Sequence, residues 1–153
     1  MLPVIAVTSG EPAGIGPELC LRLAGYEGEA QPVILGDRNL LEARAAQLGL
    51  AVEFRDFCPK NPVDCSKLDV VHVPLAAPSK AGQLDAANGP YVLALLDRAL
   101  AGCQSGEFAA MATAPMSVIS LQLRFTVWSI SVTLRTWANS MAPSSPRWLC
   151  ERS

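Results

Sequence analysis

Five short apolar runs, at residues 4–8, 32–36, 51–54, 68–73 and 108–113, alternate with stretches whose apolar residues recur at helical spacing. No other feature constrains the fold as much. A continuous apolar run rich in β-branched residues suits a strand buried on both faces, and strands alternating with helices argue for an α/β fold with a mostly parallel sheet. The punctuation agrees with this reading. Pro17 suits a first helical turn ahead of a helix at 19–24, and Glu18 favours its positive end, with Gly25 and Gly28 marking the exit. Asp37 is placed to cap a helix at 39–48, with Leu40, Leu41, Ala45 and Leu48 as its inward stripe and Gly49 as its stop. A further helix is expected at 90–102, facing inward through Tyr91, Leu95, Leu96, Ala99 and Leu100. The strand at 51–54 has a period of two, which predicts one exposed face.

The pattern stops at one point in the chain. Residues 1–117 contain all 11 glycines, 8 of the 12 basic residues and 13 of the 14 acidic ones, so their charge is 8 − 13 = −5. Residues 118–153 contain four arginines, one acid, no glycine and all three tryptophans (Trp128, Trp137, Trp148), giving 4 − 1 = +3. Two segments are therefore expected: an α/β segment at 1–117 and an unrelated tail at 118–153, β-like or disordered. In the tail, apolar residues alternate from Leu121 to Val127 and, one residue out of phase, from Trp128 to Leu134. One bulged strand or two short ones would account for this, whereas a single such pair cannot close a membrane barrel. The end of the chain reads as an unstructured tail.

Several function classes are excluded. A net charge of −2 does not fit a basic nucleic-acid binder. No uninterrupted apolar run is long enough to predict a transmembrane helix, and the apolar N-terminus has no basic region of the kind a signal peptide carries. The five cysteines (Cys20, Cys58, Cys65, Cys103, Cys150) form no CxxC pair, so reduced thiols in a cytoplasmic protein are expected. His72 is the only histidine, and it is read as a structural or surface residue because no Ser-His-Asp or Cys-His set can be built around it.

The segment Gly10-Glu-Pro-Ala-Gly14-Ile-Gly16-Pro17 lies between a predicted strand and a predicted helix. Its amides and the positive helix end suit an anion such as a phosphate. Its spacing, GxxxGxG, is neither a Walker loop nor GxGxxG. Two readings stay open, a ligand-binding loop and a tight structural turn. Glu11 is likewise either a group that acts on a ligand or a solvated loop carboxylate. Thr113-Ala-Pro115 ends the last strand, at the edge where open parallel sheets build their sites. Lys80, Gln83, Asp85 and Asn88 share one loop, which either reaches that crevice or is an ordinary polar connection.

Three motifs in order, residues 8–18, Gly82-Gln-Leu-Asp-Ala-Ala-Asn-Gly89 with Tyr91, and Gly106 to Pro115, closely resemble the 4-hydroxythreonine-4-phosphate dehydrogenase family of vitamin B6 biosynthesis. The resemblance covers residues 1 to about 117, roughly the first third of a typical member. It implies an isocitrate-dehydrogenase-like α/β/α fold, here incomplete, and a homodimer acting on a phosphorylated small-molecule substrate. It also implies NAD- or NADP-dependent oxidation of a hydroxyl followed by decarboxylation, with a divalent metal as Lewis acid. Among the family's binding positions, only the N-terminal motifs carry over, as substrate- or cofactor-binding candidates: Gly10, Glu11, Gly14, Gly16 and Thr113. No catalytic residue and no metal ligand is identifiable. The family continues after its Thr-Ala-Pro strand with a Lys-containing turn, a Gly-His-Thr-Glu motif and three metal-binding histidines. This chain has Ser117-Val-Ile-Ser-Leu-Gln there, and no histidine after His72. A shifted reading frame near codon 118 is expected to explain the change, with a genuine alternative ending as the other reading. This chain would then be a truncated, inactive version of the enzyme. The alternative function is a small phosphate-ligand-binding or interaction module without catalysis.

Overall fold

The computed structural model describes residues 2–60 and 63–116. The alternating segment at 121–134 and the expected tail at 118–153 lie outside the described residues. The described chain runs β1 (Val4–Thr8), α1 (Gly16–Leu21), β2 (Gln31–Gly36), α2 (Arg38–Gln47), β3 (Glu53–Asp56), β4 (Lys67–His72), a 3-10 turn (Ala86–Asn88), α3 (Gly89–Ser105) and β5 (Ala110–Thr113). The strands form one open sheet in the order β3-β4-β2-β1-β5, with every pairing parallel. The expected α/β class therefore holds, and the sheet is all-parallel among the described residues.

The side-chain period of two places the two helical layers. In β2, Val33 and Leu35 point to one face and Ile34 to the other, and all three are fully buried. Val33 and Leu35 join Ala6 and the α3 residues Tyr91, Val92, Leu95, Ala99 and Cys103 in one core. Ile34 joins Leu68 and Val70 with Cys20 and Leu21 of α1 and Leu41 and Ala45 of α2 in the other. Helices thus cover both faces, which is why the central strand reads as an unbroken apolar run.

The caps follow the sequence closely. The Asp37 carboxylate accepts the Leu40 amide at 3.0 Å and, with its other oxygen, the Leu75 amide at 2.9 Å, tying the start of α2 to the segment after β4. Gly49 and Gly106 adopt φ values of 65° and 79° just past α2 and α3, the left-handed geometry that ends helices.

Several boundaries differ from expectation. The first helix is shorter and earlier than 19–24: it begins at Gly16 and ends at Leu21, and turns at 22–25 follow it. The third strand lies two residues later than 51–54, because its register is set by β4. Glu53 pairs with Lys67 and Arg55 with Asp69, and the Arg55 guanidinium grips the buried Asp69 carboxylate at 2.6 and 2.9 Å. The last helix runs through Gly102 instead of stopping there. A Cβ at Gly102 would collide with the Phe108 ring, so this glycine serves a contact and not a helix end. Phe108 itself precedes β5 and fills the core. Leu48, expected on the inward stripe, is exposed at the α2 C-cap, and Leu96 and Leu100 are only half-buried while Val92 and Cys103 are buried.

Candidate functional site

The carboxyl ends of β1 and β5 lie side by side, with Thr8 opposite Thr113. Beyond them the backbone stays joined: the Ala114 amide donates to Thr8 O at 3.0 Å and the Glu11 amide to Pro115 O at 3.2 Å. The first glycine motif is therefore folded over Thr113-Ala-Pro115. Gly10 has φ 68°, and a Cβ there would lie 2.5 Å from Pro115 O. A Cβ on Gly16 would collide with Ser9 O and lie 3.0 Å from the Ala114 Cβ. Both glycines are needed for close backbone approach. Gly14 is different, since a Cβ there would meet Glu11 only at ordinary contact distances of 3.4 Å and more.

A second junction fixes the same loop from below. The Tyr91 hydroxyl, buried at the start of α3, accepts the Asp37 amide at 3.0 Å and shares a 2.9 Å hydrogen bond with Ser9 Oγ. A Cβ on Gly36 would lie 2.9 Å from Ser9 Oγ, so glycine there leaves room for the contact. Burial pushes the Tyr91 phenol above its ordinary range, and the hydrogen bonds from Ser9 and Asp37 offset part of that rise. The phenol stays protonated at neutral pH and acts as a pin between three segments.

Glu11 does not fit the reading of a solvated loop carboxylate. It is 3% exposed, and its Oε1 accepts the Ala13 amide at 3.4 Å. The reason is the fold of the loop, which turns its side chain inward as the backbone crosses Pro115. Arg44 of α2, also buried, reaches the next residue of the loop: its guanidinium donates to Pro12 O at 3.3 Å and lies 3.9 Å from the Glu18 carboxylate. Sequence reading did not single out Arg44. The available signal was a basic residue within the apolar stripe Leu40, Leu41, Ala45. Thr8 was missed as well: its Oγ1 is buried at the same edge with no hydrogen-bond partner among the described residues.

The loop at 79–89 reaches the first motif through its backbone, the Gly82 amide donating to Ala13 O at 2.8 Å. Two of its four polar candidates have structural work. Asp85 caps the 3-10 turn through the Ala87 amide, and the buried Asn88 accepts the Ala77 amide. Lys80 and Gln83 are exposed. Thr113 is exposed at the end of β5.

His72 is an exposed residue at the end of β4, as expected, and its Nδ1 accepts the Arg38 amide at 3.1 Å. It borders an open groove of about 530 Å³ at the carboxyl ends of β3 and β4. The groove's two arginines are already engaged, Arg38 with Glu42 and Asp56, and Arg98 with Glu107. Among the described residues no group of three or more His, Cys, Asp or Glu is placed to hold a metal ion, and the four described cysteines are free. No described helix is long and apolar enough to cross a membrane.

Comparison with known proteins adds to this geometry. Residues 28–128 match the family model of the pyridoxal phosphate biosynthetic protein PdxA. Over 114 residues the chain is 59% identical to the 4-hydroxythreonine-4-phosphate dehydrogenase of Chromobacterium violaceum, covering 74% of this chain and 35% of that protein. It is 56% identical over 115 residues to the enzyme of the same name from Azoarcus sp., again covering 35% of the relative. The crystal structure of 4-hydroxythreonine-4-phosphate dehydrogenase from Klebsiella pneumoniae superposes with a TM-score of 0.72 at 31% identity, over 80% of this chain and 39% of that one. The chain thus spans about a third of the length of the curated relatives it matches.

Proposed function

The chain belongs to the PdxA family of pyridoxal phosphate biosynthetic proteins, and on that footing we propose that it carries one structural third of a 4-hydroxythreonine-4-phosphate dehydrogenase. In this reading the complete enzyme is a cytoplasmic homodimer that oxidises the substrate's 4-hydroxyl to a ketone, with decarboxylation following. The nicotinamide of NAD or NADP accepts the hydride when bound. The junction of the first glycine motif with Thr113-Ala-Pro115 carries the reading: two motifs a hundred residues apart in sequence share one edge of the sheet, where parallel sheets bind ligands.

In this role Gly10 and Gly16 let the loop lie flat against Pro115 and Ser9. Gly14 and Thr113 then present one wall of a substrate or cofactor cleft, with Glu11 buried in the loop that forms it. The described residues do not form a dinucleotide cradle by themselves, because Gly10 and Gly16 are packed against the chain's own backbone. Nor do they fit the divalent metal the family implies, since no suitable ligand group is present among them and His72 stands apart with Nδ1 engaged. No chemical step is therefore assigned to these residues. Their contribution is to shape the wall and hold it rigid through Tyr91 and Asp37.

In this reading residues 118–153 are out of frame and this polypeptide alone is inactive. The full chain, mixed with 4-hydroxythreonine 4-phosphate, NAD and magnesium, is expected to give no rise in NADH absorbance above the blank. Correcting the frame near codon 118 is expected to restore a Gly-His-Thr-Glu motif and turnover. Turnover by the uncorrected chain would overturn the inactivity, and a corrected frame without that motif would overturn the frame reading. Calorimetry separates the remaining alternative, because a binding module without catalysis would give saturable heat with a phosphorylated hydroxy acid.

A further inference from the structure

We propose that residues 78–87 are a hinged strap latched to the first glycine motif, and that its opening lets a ligand reach the buried Glu11 carboxylate. A carboxylate only 3% exposed meets no ligand unless something beside it moves. The strap has the build for such a motion. Its two ends are tied together, because the Asn88 side chain accepts the Ala77 amide at 3.0 Å. The segment leading into it is fixed to the sheet edge, the Val73 amide donating to Gly36 O at 3.0 Å and the Leu75 amide to Asp37 Oδ2 at 2.9 Å. A surface loop with joined ends on a fixed base can move as one unit.

Little holds the strap beyond that base. Residues 80–87 are all exposed. Leu84, its one large aliphatic residue, is 47% exposed and belongs to neither core. The tip is a turn closed on itself, with the Gln83 amide donating to Lys80 O at 3.0 Å. From Pro78 to Leu84, among the described residues, one hydrogen bond reaches the rest of the molecule: the Gly82 amide donates to Ala13 O at 2.8 Å. A single main-chain bond favours a latched state by a factor of about two to ten, so the strap falls among the parts of a fold that open without global unfolding. Ala13 links that opening to the site. Its carbonyl accepts the Gly82 amide, and its own amide donates to Glu11 Oε1 at 3.4 Å. Strap and carboxylate thus hold the same buried residue, one by its carbonyl and the other by its amide. The ligand class, a phosphorylated small molecule, rests on the proposed function, whereas the opening itself does not.

Gly82 gives a way to shift the latch. Its φ of 74° is left-handed and nothing lies within 4 Å of where a Cβ would stand, so Gly82→Ala strains the latched backbone without a clash. Gly49, just past α2, has the same geometry, φ 65° with open space, and Gly49→Ala is the matched control. The test is carboxyl labelling of the full chain with a water-soluble carbodiimide and glycine ethyl ester, read by peptide mass spectrometry. Asp69, 4% exposed and gripped by Arg55, reports global unfolding, and the exposed Glu27 reports the unhindered rate. Glu11 is expected to label about tenfold faster than Asp69 or more. In Gly82→Ala its rate is expected to rise a further fivefold, roughly, with Asp69 unchanged and Gly49→Ala matching the unsubstituted chain. Glu11 labelling no faster than Asp69 overturns the proposal, and so does an unchanged Glu11 rate in Gly82→Ala or an equal rise in Gly49→Ala. Labelling involves neither substrate nor turnover, so the strap and the dehydrogenase reading fail separately.

Discussion

Tyr91 shows how one side chain can hold a loop that has little regular structure of its own. Its ring contributes to the core under β1 and β2, and its hydroxyl joins Ser9 of the first motif to the Asp37 amide at the start of α2. Replacing it with phenylalanine keeps the packing and leaves a buried hydroxyl and a buried amide without their partner. Tyr91→Phe is expected to cost about 1–3 kcal/mol, the desolvation penalty of such groups. The check is a lower urea midpoint at unchanged slope. Asp64 makes the contrasting case at the surface. The Ser66 hydroxyl at 2.6 Å and the Ser66 amide at 3.1 Å hold its carboxylate below the ordinary range, with Lys67 and Arg55 adding smaller effects in the same direction. A carboxylate whose folded value is depressed gives stability above its unfolded value and loses it as the pH falls through the folded one. Ser66→Ala is therefore expected to move the Asp64 titration upward, and carbon-detected NMR of the side-chain carboxyl would show it.

At the scale of elements, what could be read in the sequence depended on whether the deciding partner was local. The strands at 4–8, 32–36 and 68–73 were legible because burial on both faces leaves a continuous apolar run, and the Asp37 cap because its acceptor and donor are three residues apart. β3 was misplaced by two residues because its register depends on Arg55 meeting Asp69, fourteen residues away. α3 was ended too early because Gly102 looks like a stop until Phe108 is seen against it. The same division runs through the candidate site. The glycines and Thr113 are singled out as candidates by motif and strand end. Arg44, Thr8 and the inward turn of Glu11 are not, because each depends on segments brought together only by the fold. Even the glycines changed in meaning. A loop that suggested an open phosphate cradle owes Gly10 and Gly16 to contact with Pro115 and Ser9.

For the described residues as a whole, the sheet order implies an uneven stability. β2 lies between β1 and β4 with helices on both faces, and Val33, Ile34 and Leu35 are fully buried. β3 and β5 each have one neighbouring strand among the described residues. Amides of the most deeply packed strands open only with global unfolding, whereas edge amides without a partner exchange from the native state. Hydrogen exchange is therefore expected to show the slowest amides at 33–35, with β5 amides not bonded to β1 exchanging faster by orders of magnitude. β3 should also be fast, although its charged side chains suit an edge left in water. That difference gives the measurement its force. β5 is the apolar edge, so fast exchange there in the isolated chain would mean that apolar strand surface is left open to solvent. β5 amides as slow as those of β2 would mean instead that the edge is already covered within the chain itself, and the sheet would then have only one free side.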